Sequence, residues 1–257
     1  MALRSRWMTA SWVDTHCHLQ LSSQPAADLL DRAPAVEWIV VPGVDLNSTV
    51  AAERLALEHP DRILFTAGLH PHDAEAWPEQ RDGLAPYFER AAAIGEIGLD
   101  FYRNLSGREA QLQAFRDQIG IGVELGKPLV VHVRDAFQDS FEILDELGVG
   151  QQTVLHCWTG GPKWTKRFME LGVTFSFAGP IAFETGDTVR RAAAVVPPGR
   201  ALVETDTPYL SPPPFRGEDN EPGRVALVGE ALAGVWGLEI DEVARITSET
   251  AAKVFRR

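Results

Sequence analysis

Short apolar runs rich in β-branched residues recur along the chain, separated by segments in which apolar positions return every three or four residues. Eight such runs stand out: Trp12 to His16, Val36 to Val41, Ile63 to Gly68, Ala92 to Ile97, Leu129 to Val133, Thr153 to His156, Val173 to Phe177 and Ala201 to Thr205. Their length and flanking turn residues predict strands. Between the fourth and fifth, Leu112, Phe115, Ile119 and Val123 step along one face of Glu109 to Leu125, which predicts a helix with Ser106 and Glu109 as its capping box. Strands alternating with helices predict a closed parallel α/β barrel of the TIM (β/α)8 type. No G-x-G-x-x-G follows the first run, so nothing favours an open doubly wound sheet. The proline-rich stretch from Ser211 to Gly223 follows the last strand and is expected to form a stiff loop over the barrel mouth.

Composition narrows the setting. The 257 residues match the roughly 250 typical of such a barrel, so one catalytic domain is expected over 11–257, after a short disordered leader over 1–10 in which Met8 is a second candidate start. A hydrophobic fraction of 45% with no long apolar run excludes a membrane-spanning protein, and no secretory signal follows the N-terminal arginines. Two cysteines, Cys17 and Cys157, are too few for a disulfide framework, and a reducing cytoplasm is the expected location. The net charge of -12 argues against binding long duplex DNA. It leaves room for a few nucleotides at a site where bound cations reverse the local potential.

The candidate chemistry lies in the histidines. Six of the seven fall at the C-terminal ends of predicted strands: His16 and His18 at the first, His70 and His72 at the third, His132 at the fifth and His156 at the sixth. His59 lies elsewhere, before Pro60, and receives no role. Glu96 finishes the fourth strand and Asp206 follows the eighth, at the face where barrel enzymes build their active sites. Strand alternation places His132 with Val130 and Arg134, His156 with Val154 and Trp158, and Asp206 with Glu204 and Leu202 on inward faces. Four imidazoles and two carboxylates exceed what one tetrahedral ion needs, and two ions sharing a bridging carboxylate would use them all. None of the four lysines, Lys127, Lys163, Lys166 and Lys253, ends a predicted strand, so the bridge is assigned to Glu96 and Schiff-base chemistry is disfavoured.

These residues sit in longer runs: D-T-H-C-H-L (14–19), G-L-H-P-H-D-A (68–74), G-E-I-G-L-D-F-Y-R (95–103), V-V-H-V-R-D-A (130–136), L-H-C-W-T-G (155–160), E-T-D-T-P-Y-L (204–210) and R-G-E-D-N-E-P (216–222). In this order the chain resembles the TatD family of metal-dependent deoxyribonucleases, within the amidohydrolase superfamily. The resemblance implies a β/α barrel, two divalent metal ions and hydrolysis of DNA phosphodiesters as a 3′-5′ exonuclease. Carried over by position, His16, His18, Glu96 and Asp206 would hold one ion, and Glu96, His132 and His156 the other. Two residues depart from the family pattern: Trp158 where phenylalanine is frequent, and Thr250 where asparagine is usual. The resemblance implies magnesium, whereas four imidazoles suit zinc or manganese better.

Both readings together give an expected mechanism. The ions make hydroxide available near neutral pH, Asp206 acts as general base, and a cationic side chain helps stabilise the phosphoryl oxygens. For the substrate, Arg134 has the parity to reach a phosphate, with an ion pair to Asp135 as the alternative. His70 either donates to phosphate or is a satisfied buried histidine, and Arg103 either clamps phosphate or is solvated. Trp158 either stacks a base or packs in the core. His72 is read as a loop residue, Glu204 as a hydrogen-bonding support for a ligand, and Cys17 and Cys157 as buried behind the site. DNA, as short or single-stranded ends, is the expected substrate; the sequence leaves the oligomeric state open and is compatible with a monomer. Arg134, Arg103 and Arg216 favour phosphate over the runner-up, a two-metal amidohydrolase acting on a C-N or ester bond of a small molecule. The full ligand set speaks against a non-catalytic binding module.

Overall fold

The computed structural model describes residues 10–257, so the expected leader over 1–10 lies almost wholly outside the described residues. Eight parallel strands, β1 (Trp12–Asp14), β2 (Val36–Pro42), β3 (Ile63–Ala67), β4 (Ala93–Asp100), β5 (Leu129–Arg134), β6 (Thr153–Leu155), β7 (Thr174–Phe177) and β8 (Ala201–Val203), pair in sequence order. The ring closes through Thr15 N–H to the Val203 carbonyl at 3.2 Å, Asp206 N–H to the His16 carbonyl at 2.9 Å, and a parallel bridge between Cys17 and Thr207. Helices alternate with the strands, giving the expected TIM (β/α)8 barrel.

Parity sorts the strand residues into two cores. Val13, Trp38, Val40, Ala93, Val130, Val154 and Leu202 fill the barrel interior. The last helix, Ile240–Phe255, plugs this layer from below, with Phe255 edge-on to Trp38 at 6.2 Å. Outward residues such as Trp12, Ile39, Val41, Phe175 and Val203 pack under the surrounding helices. Burial of such side chains, at about 25 cal/mol per Å2 of apolar area, is the main stabilising term. Thr250, the departure in the final helix, satisfies its own hydroxyl by donating to the Ile246 carbonyl at 2.8 Å.

Three expectations need correction. The helix after β4 spans Arg108–Glu124, and its buried face is Gln111, Ala114, Phe115, Gln118, Ile119 and Gly122, while Val123 is exposed. The face is rotated because the two glutamines are satisfied by backbone at the barrel mouth: Gln118 pairs with both backbone groups of Leu69 and Gln111 with those of Asp100. Gly122 lets this face close on Leu129, where a Cβ would stand 2.4 Å from a Leu129 methyl. The capping box is absent: Gly107 is the N-cap, and the Ser106 hydroxyl donates instead to the His72 carbonyl at 2.7 Å. Finally, β4 runs to Asp100, three residues beyond the expected end. Gly98 allows this with φ of +137°, at a point where any Cβ would lie 2.0 Å from the His132 carbonyl oxygen.

Candidate metal centre

Within β4 the register against β5 shifts between Ile94 and Ile97, a bulge that turns the Glu96 side chain into the barrel mouth. Its two oxygens face different nitrogen sets. Oε2 lies 3.3 Å from His16 Nε2 and 3.6 Å from His18 Nε2. Oε1 lies 2.9 Å from His156 Nε2, 3.1 Å from His132 Nδ1 and 3.3 Å from His70 Nε2. Asp206, just past β8 with φ of +59°, puts Oδ1 3.5 Å from His18 Nε2. At the end of β1, Asp14 is also fully buried, its carboxylate accepting from the Thr205 amide and hydroxyl at 2.9 and 2.6 Å, which ties the β1 and β8 ends together beneath the cluster.

The nitrogens are held unequally. His156 Nδ1 faces Glu204 Oε1 at 3.1 Å, and the same oxygen accepts the Cys157 N–H at 2.7 Å. His132 Nε2 faces Asp100 Oδ2 at 3.2 Å, which also contacts His72 Nε2 at 2.8 Å. Asp100 Oδ1 accepts the N–H groups of Tyr102 and Arg103, so one buried carboxylate braces His132 and the loop carrying Arg103. By contrast, Nδ1 of His16 and of His18 is buried with no hydrogen-bond partner among the described residues. His16 is held by stacking, its ring 3.8 Å from that of His156.

Electrostatics follows this division. Burial, with His156 adding to it, pushes His16 down to about 3. Burial also opposes charge on His132 and His156, but Asp100 and Glu96 hold the first above its ordinary range, and Glu96 and Glu204 hold the second well above it. Burial alone would raise the Glu96 carboxyl, yet the surrounding imidazoles, His156 foremost, keep it well below the usual carboxylate range.

This donor set fits divalent cations. His16 and His18 bring ring nitrogens within 3.1 Å of each other, and His132 and His156 within 3.3 Å, each pair able to share only one proton while facing a carboxylate oxygen. Convergent neutral imidazoles and carboxylates are what ions with bonds of about 2.0–2.2 Å require. The sets His16, His18, Asp206 and His70, Glu96, His132 each bring donor atoms within 4.8 Å of one another, as do His16, His156 and Glu204. His70 therefore stands inside the cluster. Its Nδ1 accepts the His72 N–H at 3.1 Å, which turns Nε2 toward Glu96.

The family model for TatD related DNase matches residues 13–256. The chain belongs to the TatD family. It is 35% identical over 255 residues to the metal-dependent hydrolase YabD of Bacillus subtilis strain 168, covering 95% of this chain and 98% of that protein. It is likewise 35% identical over 234 residues, 88% of this chain and 90% of the other, to a Pectobacterium parmentieri protein named 3′-5′ ssDNA/RNA exonuclease TatD. The crystal structure of YjjV, a TatD homologue from Escherichia coli K12, shares the fold with a TM-score of 0.86 at 24% identity, over 96% of this chain and 98% of that one. Like these TatD relatives, the chain is a metal-dependent hydrolase.

Above the cluster opens a cavity of about 740 Å3 whose walls include Arg103, Arg134, Asp206 and Tyr209. The Arg134 guanidinium lies 4.0 Å over the Tyr102 ring and makes no ion pair with Asp135 among the described residues. Two expected substrate contacts fall elsewhere. Trp158 is buried between Phe137, Phe168 and Phe175, its Nε1 donating to the Thr165 hydroxyl at 2.8 Å. Arg216 stacks on Phe183 at 3.7 Å and donates to the Ser211 carbonyl, bracing its loop. Cys17 is buried as expected, but Cys157 lines the cavity. Its φ of +43° breaks the alternation after β6 and sends Trp158 outward, which is why parity misplaced both. Asp100 and His72 were missed in the site. Asp100 shares the period-2 face of Glu96 and Gly98 but lies beyond the apolar run that ends at Ile97, whereas His72, in the turn Pro71–Ala76, carries no periodic signal.

Proposed function

We propose that this TatD-family hydrolase cleaves phosphodiester bonds of DNA at short or single-stranded 3′ ends, with two divalent ions bridged by Glu96. The observation that carries this reading is the division of Glu96 itself, one oxygen facing His16 and His18 and the other His132 and His156, below a cavity walled by Arg103 and Arg134. In this assignment His16, His18, Glu96 and Asp206 would hold one ion and Glu96, His132 and His156 would hold the other. The name of the Pectobacterium relative supports the same substrate class.

Divalent ions bound at these donors would lower the pKa of water to near neutral pH and would bring positive charge to the phosphoryl oxygens. The chain does the rest. Asp206, whose side chain is 13% exposed at the cavity floor, takes the proton of the attacking water at its carboxylate and returns it to the departing sugar oxygen as the scissile P–O bond breaks. Arg134, propped on Tyr102, and Arg103, on the loop fixed by Asp100, grip the phosphate by charge-assisted hydrogen bonds. His70 Nε2–H holds Glu96 Oε1, keeping the bridge in place when substrate arrives. The net charge of -12 disfavours long duplex and leaves strand ends as substrate. Among the described residues no helix is long and apolar enough to cross a membrane, and action in the cytoplasm is part of this proposal.

The test is hydrolysis of an end-labelled single-stranded oligonucleotide by metal-stripped protein resupplied with magnesium, manganese or zinc, beside Glu96→Ala and a panel of small amides and esters. Stepwise shortening from the 3′ end that needs both metal and Glu96 is the expected result. Metal-dependent turnover of an amide or ester without shortening would transfer the activity to C-N or carboxylic ester bonds.

A further inference from the structure

Exposed apolar side chains ring the cavity mouth, and the cations lie on one side of it only. Of the nine large hydrophobic residues exposed among the described residues, four gather there: Leu21, Leu105 and Tyr209 line the cavity, and Tyr102 lies beneath Arg134. In an eight-stranded ring β1 stands opposite β5. Arg103 follows β4 and Arg134 ends β5, so the cations belong to one side, while Leu21 follows β1 and Tyr209 follows β8 on the other.

Tyr209 is held in place through its backbone, and its side chain is left exposed. Its N–H donates to the Asp206 carbonyl at 2.8 Å, and its carbonyl accepts from Asn220 Nδ2 at 2.8 Å. That buried amide also donates to the Thr205 carbonyl at 2.9 Å, locking the turn that carries both Asp206 and Tyr209. The ring itself is left in solvent, with Tyr209 53% exposed, and stands edge-on 6.1 Å from the His18 ring. An aromatic face fixed beside the metal centre, across the mouth from two arginines, matches one nucleotide: phosphate toward the cations, base toward the ring.

We infer that Tyr209 is the stacking platform for an unpaired nucleobase next to the scissile phosphate, and that it sets the preference for single-stranded ends; this rests on the phosphodiester reading above. A base inside a duplex is already stacked and paired and cannot turn to the ring, whereas an unpaired one gains the contact. Tyr209 is thus a specificity-determining residue, and the sugar-phosphate chain without its bases is a poor substrate.

The experiment compares metal-loaded wild type, Tyr209→Ala, Tyr209→Phe and the remote surface variant Leu57→Ala on two single-stranded oligonucleotides, one natural and one ending in two abasic nucleotides. Wild type and Tyr209→Phe are expected to favour the natural end by about tenfold in kcat/KM, and Tyr209→Ala to lose that preference through KM. A 2-aminopurine at the terminal position should be quenched on binding wild type and not on binding Tyr209→Ala, with unchanged thermal melting as the check on folding. Equal cleavage of both oligonucleotides by wild type, or an equal loss on both in Tyr209→Ala, would overturn the platform and leave the nuclease reading standing. Cleavage of neither by wild type, with turnover of methyl p-nitrophenyl phosphate, would instead overturn the nucleic-acid reading and the platform with it.

Discussion

The two halves of the histidine cluster are built differently. His132 and His156, from the β5 and β6 side, each have the ring nitrogen remote from Glu96 set against a buried carboxylate, Asp100 and Glu204. His16 and His18, from the β1 side, have their Nδ1 atoms buried without a partner among the described residues. A carboxylate behind a histidine fixes its orientation and tautomer and raises its basicity as a ligand. The first half is therefore organised before any ion arrives, and the second depends on packing, on Glu96 and on Asp206. An ion on the β1 side should exchange more readily than one on the β5–β6 side.

The largest effect falls on the unbacked half. Asp206 is the anion that half holds besides Glu96, and it is also assigned the proton, so Asp206→Asn should lower kcat by at least about a thousandfold with the melting temperature nearly unchanged. Steady-state kinetics beside thermal melting read both quantities. Near-normal turnover would remove Asp206 from the mechanism. Smaller is the loss on the backed half, where Glu204→Gln keeps the shape and removes the charge behind His156. Metal affinity should fall about 10–100-fold in one binding stage only. Competition with a chelating dye resolves the stages, and equal weakening of both would erase the proposed difference.

Proton release sharpens the same contrast. In the metal-free protein Asp100 and Glu96 hold the His132 imidazole, and Glu96 and Glu204 the His156 imidazole, above the ordinary histidine range, and the ring nitrogens that face Glu96 must give up any proton they carry to become ligands. The charge on these two stabilises the metal-free fold below the unfolded value near 6.5 and ceases to do so as pH rises through the higher folded value. Binding on that side should release protons and tighten as pH rises. His16, pushed down to about 3, is already neutral and releases none. Calorimetric titration in two buffers of different ionisation enthalpy measures the released protons, and zero release in the tighter stage would contradict the assignment.

Much of this arrangement was legible because strand parity and strand ends are local properties. The barrel, the inward set Val130, Val154 and Leu202, and the placing of His16, His132 and His156 follow from period-2 spacing and its C-terminal limit, whereas Glu96 reaches the mouth through the bulge in β4 and Asp206 through a turn past β8 with φ of +59°. The failures occur where the backbone leaves that rule. Gly98 at φ of +137° carries β4 onward to Asp100, and Cys157 at +43° reverses the faces of Cys157 and Trp158. Gln111 and Gln118 look like a solvated helix face and are buried, since only the folded barrel supplies the backbone groups that satisfy them. The support behind the ligands involves partners as far apart as His156 and Glu204, 48 positions along the chain, which no local pattern reveals.

The smallest expected effect separates packing from chemistry in the backed half. Trp158 follows the strand end that presents His156 and anchors it among Phe137, Phe168 and Phe175, with one hydrogen bond to Thr165. Trp158→Phe keeps an aromatic ring in that nest and gives up the indole N–H, so the cost should be a stability loss of about 1–2 kcal/mol with KM unchanged. Denaturant unfolding and oligonucleotide kinetics together decide the matter. A raised KM with undiminished stability would mean that Trp158 meets substrate after all. The backed half would then contain a base-binding surface of its own, and Tyr209 would no longer be the one platform assigned to the base.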